Sequence, residues 1–329
     1  MEKRERCISG SLLSVVVPVY NEESNLAELH RRLVATIKSL GCDYEIIFIN
    51  DGSTDGSAEV LVELTKKDEH VGFISFTRNF GHESATCAGF DFASGDAVVI
   101  IDADLQDPPE VIKEMASRWA EGSDIVYGRR SRRTGESASK RASSFIFYRT
   151  MRMIADIDIP LDTGDFRLVD RKMVEYFKQL REKNRFVRAE VAWLGGDTSE
   201  VLYDRDPRHS GRTKYNFFKR LKLSMDALLS FSAFPLHMVA IVGFVLFALS
   251  LIGVLVVFVQ KVAFGINVPG YAFLAISILI LSGLQLFCIG VLGEYLARVF
   301  VEIKDRPLYL VSAVGGFKKR KKDGEGTLP

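Results

Sequence analysis

Cysteine is scarce in this sequence, and what there is shows no paired spacing. Cys7, Cys42, Cys87 and Cys288 form no C-x-x-C, which excludes a zinc ribbon or a disulfide framework and predicts ordinary buried thiols in a reducing compartment. An excess of one charge is lacking too. With 43 Lys and Arg against 42 Asp and Glu, the net charge is +1, so no global electrostatic case for nucleic acid exists. No G-x-G-x-x-G follows the first apolar run and no G-x-x-x-x-G-K-[ST] occurs, so dinucleotide oxidoreductases and P-loop NTPases are poor readings. The opening Met1-Glu-Lys-Arg-Glu-Arg6 has no apolar signal region, and the polar part of the chain is expected in the cytoplasm.

What is present is a chain divided in character. Its 329 residues are 47% hydrophobic yet 26% charged, which implies one polar part and one very apolar part. In the polar part, apolar runs alternate with helical patterns. Leu13-Ser-Val-Val-Val-Pro18 and Tyr44-Glu-Ile-Ile-Phe-Ile49 read as strands, as does Val71–Phe76. Leu26, Leu29, Leu33, Ile37 and Leu40 recur at helical spacing, and Gly41 ends that helix. Helices over 57–67, 82–93 and 110–121 and a strand over 124–128 complete the pattern. Strand and helix in alternation predict a mostly parallel, doubly wound α/β sheet with right-handed crossovers.

The stretch Val98-Val-Ile-Ile-Asp-Ala-Asp-Leu-Gln-Asp-Pro-Pro109 organises this part. A buried parallel strand is expected to end in Asp102, Asp104, Gln106 and Asp107, where Pro108 and Pro109 open the next helix. Alternate residues of an extended chain point one way, so Asp102, Asp104 and Gln106 would address one small volume. Ligands in open α/β sheets bind beyond the carboxyl ends of the strands. Dense hard oxygen donors there suit Mg²⁺ or Mn²⁺, with a diphosphate completing the shell. An acidic turn with helix caps is the plainer alternative.

Two basic stretches follow. Arg129, Arg130, Arg132, Arg133, Lys140, Arg141, Arg149 and Arg152 are interleaved with Phe145, Phe147, Tyr148 and Met151. The second, from Arg212 to Phe234, mixes Lys214, Lys219, Arg220 and Lys222 with Tyr215, Phe217 and Phe218. Basic amphipathic helices with aromatics suit a membrane interface. Nucleic acid is the weaker reading, because apolar runs of about 22 residues (238–259) and about 23 residues (271–293) come next, each long enough to span a bilayer. Lys and Arg crowd before the first run and after the second, at Arg298, Lys304, Arg306 and 318–322, while the connection has only Lys261. The positive-inside rule then puts both termini in the cytoplasm. Glu294 and Arg298 are expected to form an ion pair one turn apart. Pro307-Leu-Tyr-Leu-Val311 reads as a short strand for a sheet edge, of this chain or of a neighbouring protomer.

Six motifs now stand in one order: Pro18-Val-Tyr-Asn-Glu22, Asn50-Asp-Gly-Ser-Thr-Asp55, Arg78-Asn-Phe-Gly81, Asp102-Ala-Asp-Leu-Gln106, Thr163-Gly-Asp-Phe-Arg167 and Arg208-His-Ser-Gly-Arg-Thr-Lys214. With the two apolar runs, they make residues 12–310 resemble the bacterial polyprenyl-phosphate glycosyltransferases of the GT-A fold, relatives of dolichol-phosphate mannose synthase. The resemblance implies metal-dependent, inverting transfer of one hexose from a nucleotide sugar to a polyprenyl phosphate, for glycan or cell-envelope modification. Details around Asp104-Leu-Gln-Asp-Pro-Pro109 and Val191-Ala-Trp-Leu-Gly195 are most similar to the glucosyl branch, with UDP-glucose and undecaprenyl phosphate. GDP-mannose, UDP-galactose and modified-arabinose donors stay open.

By the same resemblance, Pro18, Tyr20, Glu22, Asp51 and Asp102 would hold the nucleotide sugar, and Asp104 and Gln106, with Asp102, would bind Mg²⁺ or Mn²⁺. Asp165 falls in the acceptor site, as a base or as a group orienting the sugar. A lipid phosphate is already anionic, so the orienting role is favoured. Arg129, Lys140 or Arg141, Arg205, Arg208 and Lys214 would bind the acceptor phosphate and the diphosphate, since a guanidinium pairs bidentately with phosphate oxygens. His82 either faces the phosphates or caps a helix.

The layout implied is a glycosyltransferase domain over 1–211, with an amphipathic stretch at 141–156, and a juxtamembrane helix over 212–234. Two transmembrane helices lie within 235–298, and a cytoplasmic strand and basic tail within 299–329. A multi-pass inner-membrane protein that forms a homo-oligomer, through residues 307–311, is expected. A processive polysaccharide synthase would need a channel and a Gln-x-x-Arg-Trp motif, which the sequence lacks. A non-catalytic membrane scaffold is opposed by the intact Asp102, Asp104 and Gln106.

Overall fold

The computed structural model describes residues 5–131, 163–180, 182–206, 234–264 and 270–317. Lys140, Arg141, Arg208 and Lys214, the stretch 141–156 and residues 212–233 lie outside the described residues.

Every other residue of the first strand faces a different core, and this makes one sheet with two packed sides. β1 (Leu12–Val19) turns Val15, Val17 and Val19 to one core and Val16 to the other. The chain continues through α1 (Glu23–Lys38), β2 (Asp43–Asn50), α2 (Ser57–Lys67), β3 (Val71–Phe76), α3 (His82–Phe92) and β4 (Ala97–Ile100). A 3₁₀ turn at Pro109–Val111 leads into α4 (Ile112–Ala120), then β5 (Ile125–Arg130). The helix expected over 110–121 is therefore split. Proline at the 3₁₀ start lacks an N–H to donate, so the first turn closes tightly before the α-helix begins.

Beyond residue 162 the structure adds elements that the periodicity did not reveal: β6 (Thr163–Asp170), α5 (Arg171–Phe177), α6 (Val187–Trp193) and β7 (Thr198–Tyr203). The eight strands, with β8 (Val311–Gly315) last, lie in the order β7-β5-β6-β4-β1-β2-β3-β8. All pairings are parallel except those of β6 with β4 and β5 and of β8 with β3. The mostly parallel α/β sheet is as expected. One core packs α1 and α4 against Val15, Phe48, Val99 and Phe166, and the other packs α3, α5 and α6 against Val16, Ile47, Ile100 and Val169. Each such aliphatic or aromatic side chain contributes about 1.5–3 kcal/mol on burial.

Two expectations need correction. The last strand begins at Val311, not Pro307, and pairs with this chain's own β3, Ile74 opposite Val314. The residues before it do something else: Tyr309 stacks on Phe76 with ring centroids 4.9 Å apart and donates to Asp91 at 2.7 Å. The thiols are free but not uniformly buried. Cys7 is exposed, Cys42 and Cys288 are half-buried and Cys87 is buried.

The chain divides into two compact units. The first holds the whole sheet with its flanking helices, and the second holds α7 (Phe234–Phe264) and α8 (Tyr271–Ile303). Counting only described residues, no helix is long and apolar enough to cross a membrane. By their full sequences α7 and α8 run 31 and 33 residues, mostly apolar. Within α8, Arg298 and Glu294 approach to 3.7 Å, the expected pair.

Candidate active site

Three loops at the carboxyl ends of β1, β2 and β3 are knotted into one rim. Asn21, at φ 56, accepts from the Thr54 amide at 2.7 Å and donates its own to Ser53 Oγ at 3.0 Å. Glu23 accepts from the Gly56 amide at 3.0 Å. The third loop is joined by Asp51, whose oxygens accept from the amides of Phe80 at 2.6 Å and Gly81 at 3.0 Å. Gly52 permits this: at φ +65, a Cβ there would stand 2.5 Å from the Arg78 carbonyl carbon. Asp51 is thus a buried brace between loops. A carboxylate has about four lone-pair positions, so two remain for a ligand. Of the other residues expected at the nucleotide, Pro18 is buried within β1 and Tyr20 is exposed beyond it. Glu22 accepts from Asn25 Nδ2 at 2.7 Å.

The stretch after β4 does not run extended, and here the alternation argument fails. β4 ends at Ile100, Leu105 takes φ 59, and Asp104 Oδ1 accepts from the Gln106 amide at 3.1 Å. Asp104 lies 3.9 Å from Arg205, and Asp102 lies 3.9 Å from His82 Nε2. A short-range turn closed by Asp104 itself therefore outweighs the strand continuation that the apolar run suggested.

The antiparallel insertion of β6 brings Asp165 to Asp102. Ile100 pairs with Arg167, and carrying that register two residues further sets Asp165 level with Asp102. His82, the first residue of α3, completes the group: its Nε2 is 3.2 Å from Asp165, an ion-pair distance without an aligned hydrogen bond. Donor atoms of His82, Asp102 and Asp165 all fall within 4.8 Å of one another. Arg188 from α6 then grips Asp165 bidentately, at 2.7 and 2.6 Å, and the fully buried Arg167 lies 3.6 Å from it. Glu83 steadies α6 by accepting from the Val187 amide at 2.9 Å.

These contacts set the charge states. Burial alone would raise Asp165, but Arg188 and His82 overcome it and hold the carboxyl well below its ordinary value. Burial would likewise lower His82, yet Asp165 and Asp102 hold the imidazole up to about 10. Asp165 is therefore a poor proton acceptor near neutrality and a good fixed anion. Burial pushes Asp102 up to about 6; His82 opposes this, while Asp165, Asp107 and Asp104 add to it.

A divalent cation fits one part of this arrangement. As they stand, His82, Asp102 and Asp165 form an ion-pair network, with Arg188 bonded to both oxygens of Asp165. Asp102 has three negative neighbours, Asp165, Asp107 and Asp104, against His82 alone, and Asp104 and the half-buried Gln106 follow it on the same turn. A hard cation is the natural counter-charge for such oxygen donors.

Arg129 donates to Glu200 across β5 and β7 at 2.8 Å. Its neighbour Arg130 faces the other side of the sheet, 4.0 Å from Asp107 and against the Gly164 backbone. Arg205 reaches the same place, 3.3 Å from Asp107. Alternation along β5 turns Arg129 and Arg130 to opposite faces of the sheet, and Arg130 shares its face with Tyr203 of β7. Arg188 stood in no motif at all.

Acids from the turn after β4 and from β6 gather with His82 and several arginines at one end of a mostly parallel sheet. The family model "Glycosyl transferase family 2" matches residues 14–177. A glycosyltransferase of Synechocystis sp. is 45% identical over 93% of this chain and 96% of its own length. YkcC, a glycosyltransferase of Bacillus subtilis, is 44% identical over 94% and 95%. The bactoprenol glucosyl transferase of Shigella phage SfII is 40% identical over 91% and 97%. This chain is a glycosyltransferase and belongs to glycosyl transferase family 2, among its polyprenyl-phosphate glycosyltransferases.

Proposed function

We propose that the protein transfers a single glucose from UDP-glucose to a polyprenyl phosphate, with inversion, at the cytoplasmic face of the plasma membrane. The observation that carries this is the meeting of Asp102 with Asp165 and its bidentate Arg188 where β4 ends and β6 begins. Support for glucose and for the lipid comes from the bactoprenol glucosyl transferases that share 40% of their residues with this chain.

An acceptor phosphate is an anionic nucleophile near neutrality and needs no strong base. Asp165, held ionised, then serves to orient: it can accept from a sugar hydroxyl while Arg188 keeps it still. Arg130 and Arg205 supply guanidinium N–H groups for phosphate oxygens. Asp102, Asp104 and Gln106 would hold Mg²⁺ or Mn²⁺, which when bound supplies Lewis-acid stabilisation of charge on the diphosphate.

The membrane part of the reading rests on α7 and α8. At about 1.5 Å per residue, 31 and 33 residues exceed the roughly 30 Å hydrocarbon core. They expose Ile241, Phe244, Leu255, Leu274, Leu286 and Leu296, an apolar surface that water would not tolerate over this length. The reading places both termini in the cytoplasm and the two basic stretches in the interface.

The test is transfer, in membranes containing the full chain, from a panel of UDP-glucose, UDP-galactose and GDP-mannose to undecaprenyl phosphate. A product from UDP-glucose alone is expected. Transfer from GDP-mannose alone would replace the donor, and none from any donor would overturn the reading.

A further inference from the structure

Asp107 is fully buried beside the proposed site and plays no part in the chemistry described so far. Its Oδ1 accepts from the Tyr203 hydroxyl at 2.7 Å. The same oxygen lies 3.3 Å from Arg205 Nε and 4.0 Å from Arg130 Nη2. Neither approach is an aligned hydrogen bond: among the described residues, Asp107 Oδ2 and the buried Nε atoms of Arg130 and Arg205 have no hydrogen-bond partner. Two guanidiniums converge on one carboxylate without spending their donors on it.

Like charges brought this close repel, and a buried unpaired charge is costly. Asp107 offsets both arginines, and Tyr203 holds one of its carboxylate oxygens while also hydrogen-bonding Arg130. Register explains how the three elements meet. Arg130 pairs with Tyr203 across β5 and β7, which puts both on one face of the sheet, and Asp107 sits on the turn after β4. Arg205, two residues past Tyr203, also reaches Asp104 at 3.9 Å. Arg205 thus stands next to an acid expected to hold the cation.

We propose that Asp107, anchored by Tyr203, is a positioning residue that holds Arg130 and Arg205 together as a clasp for phosphate oxygens of a substrate. The inference rests on the transfer reading above. The phosphate belongs either to the donor diphosphate or to the lipid acceptor, and both offer the same oxygens to the same fork.

The test uses the full chain in detergent or nanodiscs. Asp107→Asn keeps the shape and the acceptor for Tyr203 but removes the charge. Tyr203→Phe keeps the charge and removes the anchor. Two affinities are measured for each, by calorimetry with inorganic pyrophosphate or UDP in the presence of Mn²⁺, and as KM for polyprenyl phosphate. Asp107→Asn should weaken one of them about 10-fold or more while kcat changes less than about 3-fold, and Tyr203→Phe should move the same one by less. A fall in pyrophosphate and UDP binding assigns the clasp to the donor; a rise in acceptor KM alone assigns it to the lipid phosphate. Arg130→Gln should cost little more in the Asp107→Asn background than Asp107→Asn alone, because both remove one device. Should Asp107→Asn not fold, Tyr203→Phe and its cycle with Arg130→Gln decide the matter in the same way. Additive effects, or affinities within about twofold of wild type in a folded variant, overturn the proposal. If wild type transfers no glucose but pyrophosphate binding still falls in the variants, the transfer reading fails and the clasp stands.

Discussion

The guanidinium of Arg188 meets the carboxylate of Asp165 face on, Nε to Oδ1 at 2.7 Å and Nη2 to Oδ2 at 2.6 Å. The two residues come from α6 and β6, 23 positions apart. This pair decides what Asp165 can do. With its proton affinity suppressed it acts as an oriented charge, and its loss should be felt in turnover and in stability alike.

Asp165→Asn removes the one carboxylate that Arg188, His82 and Arg167 share. Turnover should fall by at least about 100-fold. Stability should drop by roughly 2–3 kcal/mol, the lower end for breaking a buried pair because Arg188 keeps about a third of its side chain in water. Arg188→Lys should lose most of the activity as well, since an ammonium cannot reproduce the two-pronged grip. Initial rates and denaturant midpoints check both; a fully active Arg188→Lys would remove the orienting role from Asp165.

Asp104→Asn and Asp102→Asn should each nearly abolish transfer at saturating Mn²⁺ while the domain stays folded. EDTA treatment of wild type should do the same, reversibly. Turnover is the measurement, with circular dichroism as the control. Wild-type rates in either variant, or after chelation, would show that the acids on this turn do not hold a cation.

The membrane reading is testable by labelling. A cysteine at Asn267 should react with an impermeant thiol reagent added to intact cells, and one at Lys321 should not, both in a background with the four native cysteines replaced. The opposite labelling would place the termini outside and contradict the charge bias of the flanking segments.

Asp68 offers a pH test remote from the site. Burial raises its pKa, but the His70 amide, His30 and His70 together hold it below the ordinary value. A carboxyl depressed in the folded state stabilises above its unfolded pKa of about 3.9, and the contribution is lost as pH falls through the folded value. Asp68→Asn should therefore lower Tm at pH 7 and make little difference once the pH is below the depressed folded value. Melting curves across that range check it, and an equal deficit at both ends would assign the loss to packing instead of charge.

Much of this architecture was legible before any coordinate. Apolar runs at Leu13–Pro18, Tyr44–Ile49 and Val71–Phe76 became β1, β2 and β3 with bounds shifted by a residue or two at most. The reason is local: strands buried on both faces must be apolar throughout, and the helices between them carry their own 3.6-residue period. The Asn50–Asp55 turn and the acids after β4 were also visible, because turn chemistry and hard-ligand chemistry both reside in residue type.

What the chain order could not show was which residues face one another. β6 enters between β4 and β5 against the direction of its neighbours, and only that insertion carries Asp165 to Asp102. Leu105 takes the left-handed region and Asp104 accepts from the Gln106 amide, so the chain turns after β4 where an extended run was expected. Arg188, in no motif, becomes the closest partner of Asp165. Periodicity and composition report how each segment buries its own surface. The site is built from contacts between segments far apart in the chain, and only the packing of the whole sheet selects these.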